Sequence, residues 1–118
     1  FPVDILVKTP KEIEKALENY NGEITYDSLM NMEFAGQVIN ESLRKYSPGN
    51  VLMRKCTKDY KVPGTNTIIE KGKYVFLPML AIHNDPEYFP EPHEFNPDRF
   101  SPENERKRNP FTFLPFGK

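Results

Sequence analysis

Hydrophobic and polar residues along this chain follow two different rhythms. Up to about Tyr46 the apolar positions recur at helical spacing, and three helices are expected. Thr9-Pro10-Lys11-Glu12 has the form of a capping box with proline at the first helical position, which predicts a helix from there to about Tyr20, ended by Asn21-Gly22. Thr25 is placed to cap a short helix over TYDSLMNM. A third helix runs from about Glu33 to Tyr46, where Ser47-Pro48-Gly49 stops it. At 100° per residue, Phe34, Ala35, Val38, Ile39, Leu43 and Tyr46 gather on one side of the third helix, and Gln37, Asn40, Glu41 and Arg44 on the other.

The rhythm then shortens. VLMRKC, DYKV, TII and KYVFLP read as short strands, with a type II turn expected at Pro63-Gly64 and a tight turn at Lys71-Gly72. From Asp85 onward proline is so frequent that neither a helix nor a strand ladder is expected to persist. Tyr88, Phe89, Phe95, Phe100 and Phe111 nevertheless recur through this stretch, and rings of that size need burial, so an irregular but packed segment is expected.

Composition sharpens the division. Ten of the 12 prolines follow Ser47, so the two parts of the 118-residue chain are built differently. A formal net charge of -1 gives no long-range attraction to nucleic acid or to an anionic membrane. The single cysteine cannot form an internal disulfide, and the apolar runs are far shorter than a membrane span. The opening FPVDILVK lacks the form of a signal peptide.

Several residues carry candidate chemistry. Glu41 and Arg44, three apart within ESLR, can form a charge-assisted pair, and from spacing alone an exposed pair is the ordinary outcome. Cys56 sits in a strand with no glycine-rich loop around it, which makes it a small buried or half-buried thiol by default. His83, Asp85 and His93 match no metal-ligand spacing, and His83 is expected to hydrogen-bond backbone instead. Asn40-Glu41-Ser42 has the form of a glycosylation sequon inside a helix, where it is idle. Arg106, Lys107 and Arg108 read as a solvated loop.

Taken in order, ESLR, Arg54, AIHNDPEYFPEPHEFNPDRF and the final FLPFG resemble the cytochrome P450 superfamily over about Ile24 to Lys118. They resemble its E-x-x-R helix, its A-x-H-x-D-P-x-x-F-x-x-P-x-x-F-x-P-x-R-F stretch and the start of its haem-binding loop; residues 1–8 fit less well. The resemblance implies an α+β piece of a mainly-α fold: J- and K-type helices over about 10–46, short hairpin strands over about 51–78, and a proline-rich meander with the start of the haem loop over about 79–118. It further implies a Glu41, Arg44 and Arg99 network tying helix to meander, and Arg54 on a haem propionate. Asp98 stands where the family commonly has glutamate. Phe116, Gly117 and Lys118 resemble the loop's first positions, with the ligand cysteine expected about five residues beyond Lys118. No metal ligand or catalytic residue is then expected within the chain itself.

The whole enzyme so implied is a haem-thiolate monooxygenase that inserts one oxygen atom from O₂ into a small apolar substrate. It would take electrons from an NADPH-dependent reductase, with the Arg106–Arg108 region close to the docking face. It would sit on the cytosolic face of the endoplasmic reticulum through an anchor upstream of this chain, and its texture is that of microsomal enzymes of arthropod type. The competing reading is a stand-alone interaction module that presents PEYFPEPHEF to a groove for proline-rich segments.

Overall fold

A computed structural model describes residues 2–117, so Phe1 and Lys118 lie outside the described residues. It contains α1 (Val3–Glu18), α2 (Tyr26–Met30), α3 (Glu33–Lys45), β1 (Leu52–Lys55), β2 (Tyr60–Lys61), β3 (Ile68–Ile69), β4 (Tyr74–Leu77), α4 (Met79–His83) and α5 (Pro102–Lys107). Two 3₁₀ turns, Pro97–Phe100 and Pro110–Thr112, flank α5.

The first helix starts earlier than the capping-box reading places it. Pro10 lies inside α1, two turns in from Val3, and Thr9 Oγ1 is buried without a hydrogen-bond partner among the described residues. An interior proline costs a backbone hydrogen bond and crowds the preceding turn. The helix runs through it because Ile5, upstream, and Ala16, downstream, are both buried, at positions that share a helix face. Glu12, the other half of the expected box, is used elsewhere. Its Oε1 and Oε2 accept the backbone N–H groups of Phe34 (2.8 Å) and Ala35 (2.7 Å), two of the unpaired donors that open α3. Glu12 is therefore a cap for a helix 22 residues away.

The other local signals act where they stand. Thr25 and Ser28 form a reciprocal capping box at α2. Gly22, at φ +79°, lets its N–H return to the Leu17 carbonyl and close α1. The strands form two antiparallel pairs, β1 with β4 and, nested between them, β2 with β3. Leu52 faces Leu77 and Arg54 faces Val75 in the outer pair, which Cys56 extends through its N–H to Lys73 O and its carbonyl to Gly72 N.

The proline-rich segment does include a helix, contrary to expectation. Seven consecutive residues without proline, 103–109, leave room for α5 between Pro102 and Pro110. Pro102 occupies its first turn, where the missing N–H costs nothing, and Ser101 Oγ accepts the Asn104 N–H. Phe89 and Phe100 are buried, whereas Tyr88 and Phe111 stay exposed.

Burial on α3 also differs from the apolar grouping. Ile39 and Tyr46 are more than half exposed, and the fully buried positions are Glu41 and Arg44. Leu6, Tyr26, Phe76 and Phe116 are likewise exposed. The radius of gyration is 18.6 Å, against roughly 13–14 Å for a compact domain of this length. The chain thus folds into a ribbon with uncovered apolar faces.

Removing the remote cap should loosen α3 at its start. Glu12→Ala is expected to cost about 1–2 kcal/mol and Glu12→Gln less, with faster amide exchange at Phe34 and Ala35. Unchanged exchange at those two amides in Glu12→Ala would refute this role.

Candidate functional site

A helix buries charge only when other elements supply partners, and α3 meets that condition at Glu41 and Arg44, both 0% exposed. Arg44 Nε donates to Glu41 Oε2 at 2.7 Å and Nη2 to Oε1 at 2.9 Å, a side-on bidentate pair. The remaining donors reach backbone far along the chain. Nη1 meets the His83 carbonyl at 2.7 Å, and Nη2 meets the carbonyls of Pro92 (2.9 Å) and Glu94 (3.3 Å). Lys45 Nζ adds a contact to the His93 carbonyl. One guanidinium therefore holds the end of α4 and two turns of the meander. Spacing alone does not show this, because i,i+3 partners are as available on a wet helix face as on a dry one.

Arg99 completes the group. Its Nε lies 3.5 Å from Glu41 Oε1, an ion-pair contact not aligned as a hydrogen bond, while Nη2 donates to Glu91 O at 2.8 Å. Glu41 Oε1 also accepts the Asn96 N–H at 2.9 Å. Two guanidinium groups on one carboxylate leave a positive surplus, and backbone carbonyls absorb it. PEYFPEPHEF is held through these carbonyls and the buried ring of Phe89, so it is not displayed as an extended ligand.

A second cluster packs on the first. His83 is 0% exposed, its Nε2 accepts the Leu114 N–H at 3.1 Å, and its ring lies against Phe89 and Phe113. Burial pushes its imidazole below the ordinary value, a backbone contact with Arg44 partly offsets this, and the charges of Arg44 and Arg108 act with burial. Arg108 is not the solvated residue of the sequence reading. Its guanidinium lies 4.5 Å from the ring centre of Phe100, 5.6 Å from Phe89 and 5.7 Å from Phe113, and its Nη1 donates to Arg99 O at 2.8 Å. Burial lowers its pKa against the opposing pull of Glu105 and Glu41. The only sequence signal for this role is the set of recurring rings, which need a neighbour of some kind. Arg106 and Lys107 remain exposed.

A third group lies at the C-terminal end of the described residues, joined to the second through the Gly117 N–H, which donates to Leu114 O at 3.3 Å. Leu52 and Arg54 share one face of β1, and the ends of both side chains occupy the space that a Cβ on Gly117 would enter. Gly117 has φ +84°, and a Cβ there would fall 2.9 Å from Arg54 Nη2 and 3.1 Å from Leu52 Cδ1. Glycine suits both conditions, a left-handed backbone and side-chain ends that a Cβ would have to displace. Phe116 beside it is 76% exposed. Cys56 is half-buried, and its Sγ donates to Lys58 O at 2.9 Å. Among the described residues no group of three His, Cys, Asp or Glu could hold a metal ion.

Removing the central guanidinium should be severe. Arg44→Ala strands a buried carboxylate at a cost of about 3–5 kcal/mol. Arg44→Lys should also destabilise the protein, because one ammonium cannot serve a carboxylate and three separate carbonyls. Denaturant unfolding of both variants measures this, and a loss of under about 1 kcal/mol in Arg44→Ala would refute the account.

Comparison with known proteins agrees with the ordered motifs. A profile described as cytochrome P450 matches residues 4–118, so the similarity begins well upstream of Ile24 and takes in most of the residues that fit less well by motif. The chain is 44% identical over 115 residues to cytochrome P450 6k1 of Blattella germanica and 44% identical to the probable cytochrome P450 6d4 of Drosophila melanogaster, covering 98% of this chain and 22% of each relative. It is 47% identical to cytochrome P450 6B5 of Papilio glaucus, over 97% of this chain and 24% of that protein. The chain spans about a quarter or less of the length of these relatives. With the family profile matching nearly every residue, this chain belongs to the cytochrome P450 family.

Proposed function

We propose that this chain is the proximal scaffold of a haem-thiolate monooxygenase that inserts one oxygen atom from O₂ into an apolar organic substrate. Family membership implies haem in the full protein, and the residues here fit that group. The observation that carries the reading is the approach of Arg54 to Gly117. The exposed Arg54 guanidinium lies where a Cβ on the left-handed Gly117 would fall 2.9 Å from it, so a side chain at Gly117 would push the cation aside. Arg54 is the residue that would hold a haem propionate, and Phe116 and Gly117 would open the loop that carries the thiolate ligand. Bound through cysteine thiolate, haem supplies O₂ activation, to which the thiolate contributes electron density.

The residues of this chain then act by position. Glu41, Arg44 and Arg99 fix the meander on α3, and the meander fixes the height of the loop that follows. Cys56 is not the ligand, since its thiol is turned to a carbonyl at the end of a strand. Electrons come from an NADPH-dependent reductase, for which the exposed Arg106 offers positive charge at the surface, while Lys107 beside it is paired with Glu103 at 2.6 Å. The parent enzyme resides on the endoplasmic reticulum membrane, facing the cytosol. Among the described residues no helix is long and apolar enough to cross a membrane.

The test is the reduced carbon monoxide difference spectrum of the full-length protein that carries this chain. A thiolate-type band is expected, unchanged in Cys56→Ser. A band lost in Cys56→Ser, or an imidazole-type band in the parent, would overturn the assignment. Arg54→Gln should loosen haem retention by about 10–100-fold, the loss of one charge-assisted contact, read from the rate of haem transfer to an apo-acceptor.

A further inference from the structure

His83 serves two parts of the structure through two different groups. Its carbonyl accepts Arg44 Nη1 at 2.7 Å, and its imidazole Nε2 accepts the Leu114 N–H at 3.1 Å. A single residue at the end of α4 thereby links the buried arginine of α3 to the stretch leading into Phe116 and Gly117. Nothing in the network described so far requires the imidazole, since the Arg44 contact uses only backbone. The side chain is nevertheless fully buried between the rings of Phe89, at 6.3 Å, and Phe113, at 5.5 Å.

The hydrogen bond also assigns the tautomer. Nε2 accepts, so in the neutral ring the proton is on Nδ1. An imidazolium carries N–H on both nitrogens, and Nε2 would then face the Leu114 N–H donor to donor. The contact that holds the loop becomes a repulsion.

We propose that His83 is a positioning residue for the haem-binding loop: its neutral imidazole pins the Leu114 backbone to the α3 cluster, and protonation releases the loop. This rests on the reading of Phe116 and Gly117 as the opening of that loop. The charged groups facing the ring are the guanidinium of Arg44, from α3, and that of Arg108, after α5; Glu41, the carboxylate of the cluster, is already held by Arg44 and Arg99. Neither cation favours a second positive charge beside it. Because burial lowers the folded-state pKa, the stabilisation is complete above the ordinary imidazole value of about 6.5 and is lost as pH falls from there through the lower folded value.

The experiment uses the full-length holoenzyme and two variants, His83→Phe, which removes the acceptor, and His83→Gln, which keeps an acceptor near the Nε2 position but does not titrate. Amide exchange of the peptide containing Leu114, corrected for intrinsic pH dependence, is read beside the reduced carbon monoxide spectrum from neutral to acid pH. In the wild type, protection of that peptide and the thiolate-type band should be lost together below the imidazole range. His83→Phe should lose about tenfold in protection at neutral pH, equivalent to about 1.4 kcal/mol. His83→Gln should keep protection at neutral pH and lose the acid transition. A His83→Gln enzyme with the wild-type acid transition overturns the proposal, as does a His83→Phe enzyme with wild-type protection. Should His83→Phe fail to fold, the His83→Gln arm decides. A wild type without any thiolate-type band refutes the monooxygenase reading itself, before either variant is compared.

Discussion

The Arg44 guanidinium is the point on which the rest of this structure depends. A carboxylate and an arginine have been taken out of water at the end of α3, which is favourable only if every donor finds an acceptor. Glu41 accepts two of the donors, and carbonyls of His83, Pro92 and Glu94 accept others. Those carbonyls belong to segments 39 to 50 residues away. Burying the charge and locating the meander are consequently one event. A pair of this kind adds less to stability than a packed apolar core would, but its directional bonds admit few alternative arrangements.

This explains how a stretch with so many prolines holds a defined shape. Its backbone cannot pair with itself in a ladder, so its carbonyls are free to accept side-chain donors, and arginine has the planar geometry to serve several at once. Arg44 takes carbonyls of the meander's first half, and Arg99 takes Glu91 O. Arg108 returns to Arg99 O while its face lies over Phe89, Phe100 and Phe113. Rings and guanidinium groups alternate through the packed segment, which lets a region with few aliphatic side chains exclude water.

The same chain of contacts connects the ion-pair cluster to the loop at the C-terminal end of the described residues. From Arg44 it passes to the His83 backbone, through the imidazole to Leu114, and on to Gly117 against Arg54 and Leu52. The hydrogen bonds run from the α3 pair to His83, from His83 to Leu114 and from Leu114 to Gly117, so one set of contacts spans the segment from α3 to the last described residues. Under the proposed function, support of this kind would hold the ligand loop in one orientation.

Local order is legible in the sequence wherever the cause is local. Thr25 caps α2, Gly22 closes α1, the strands fall within the four apolar runs, and the ordered motifs lead to the family. What the sequence leaves open is what depends on distant partners. Glu12 reads as a cap for its own helix and serves another; Ile39 and Tyr46 belong to the apolar group on α3 and remain exposed; Arg108 reads as solvated and lies among three rings. The pairing of β1 with β4 around a nested hairpin is equally invisible in four similar short runs. Spacing determines which residues share a face, because helix and strand periods are properties of the local backbone. Whether that face is dry is decided by segments far along the chain, since only they supply the carbonyls and rings that make a buried charge tolerable.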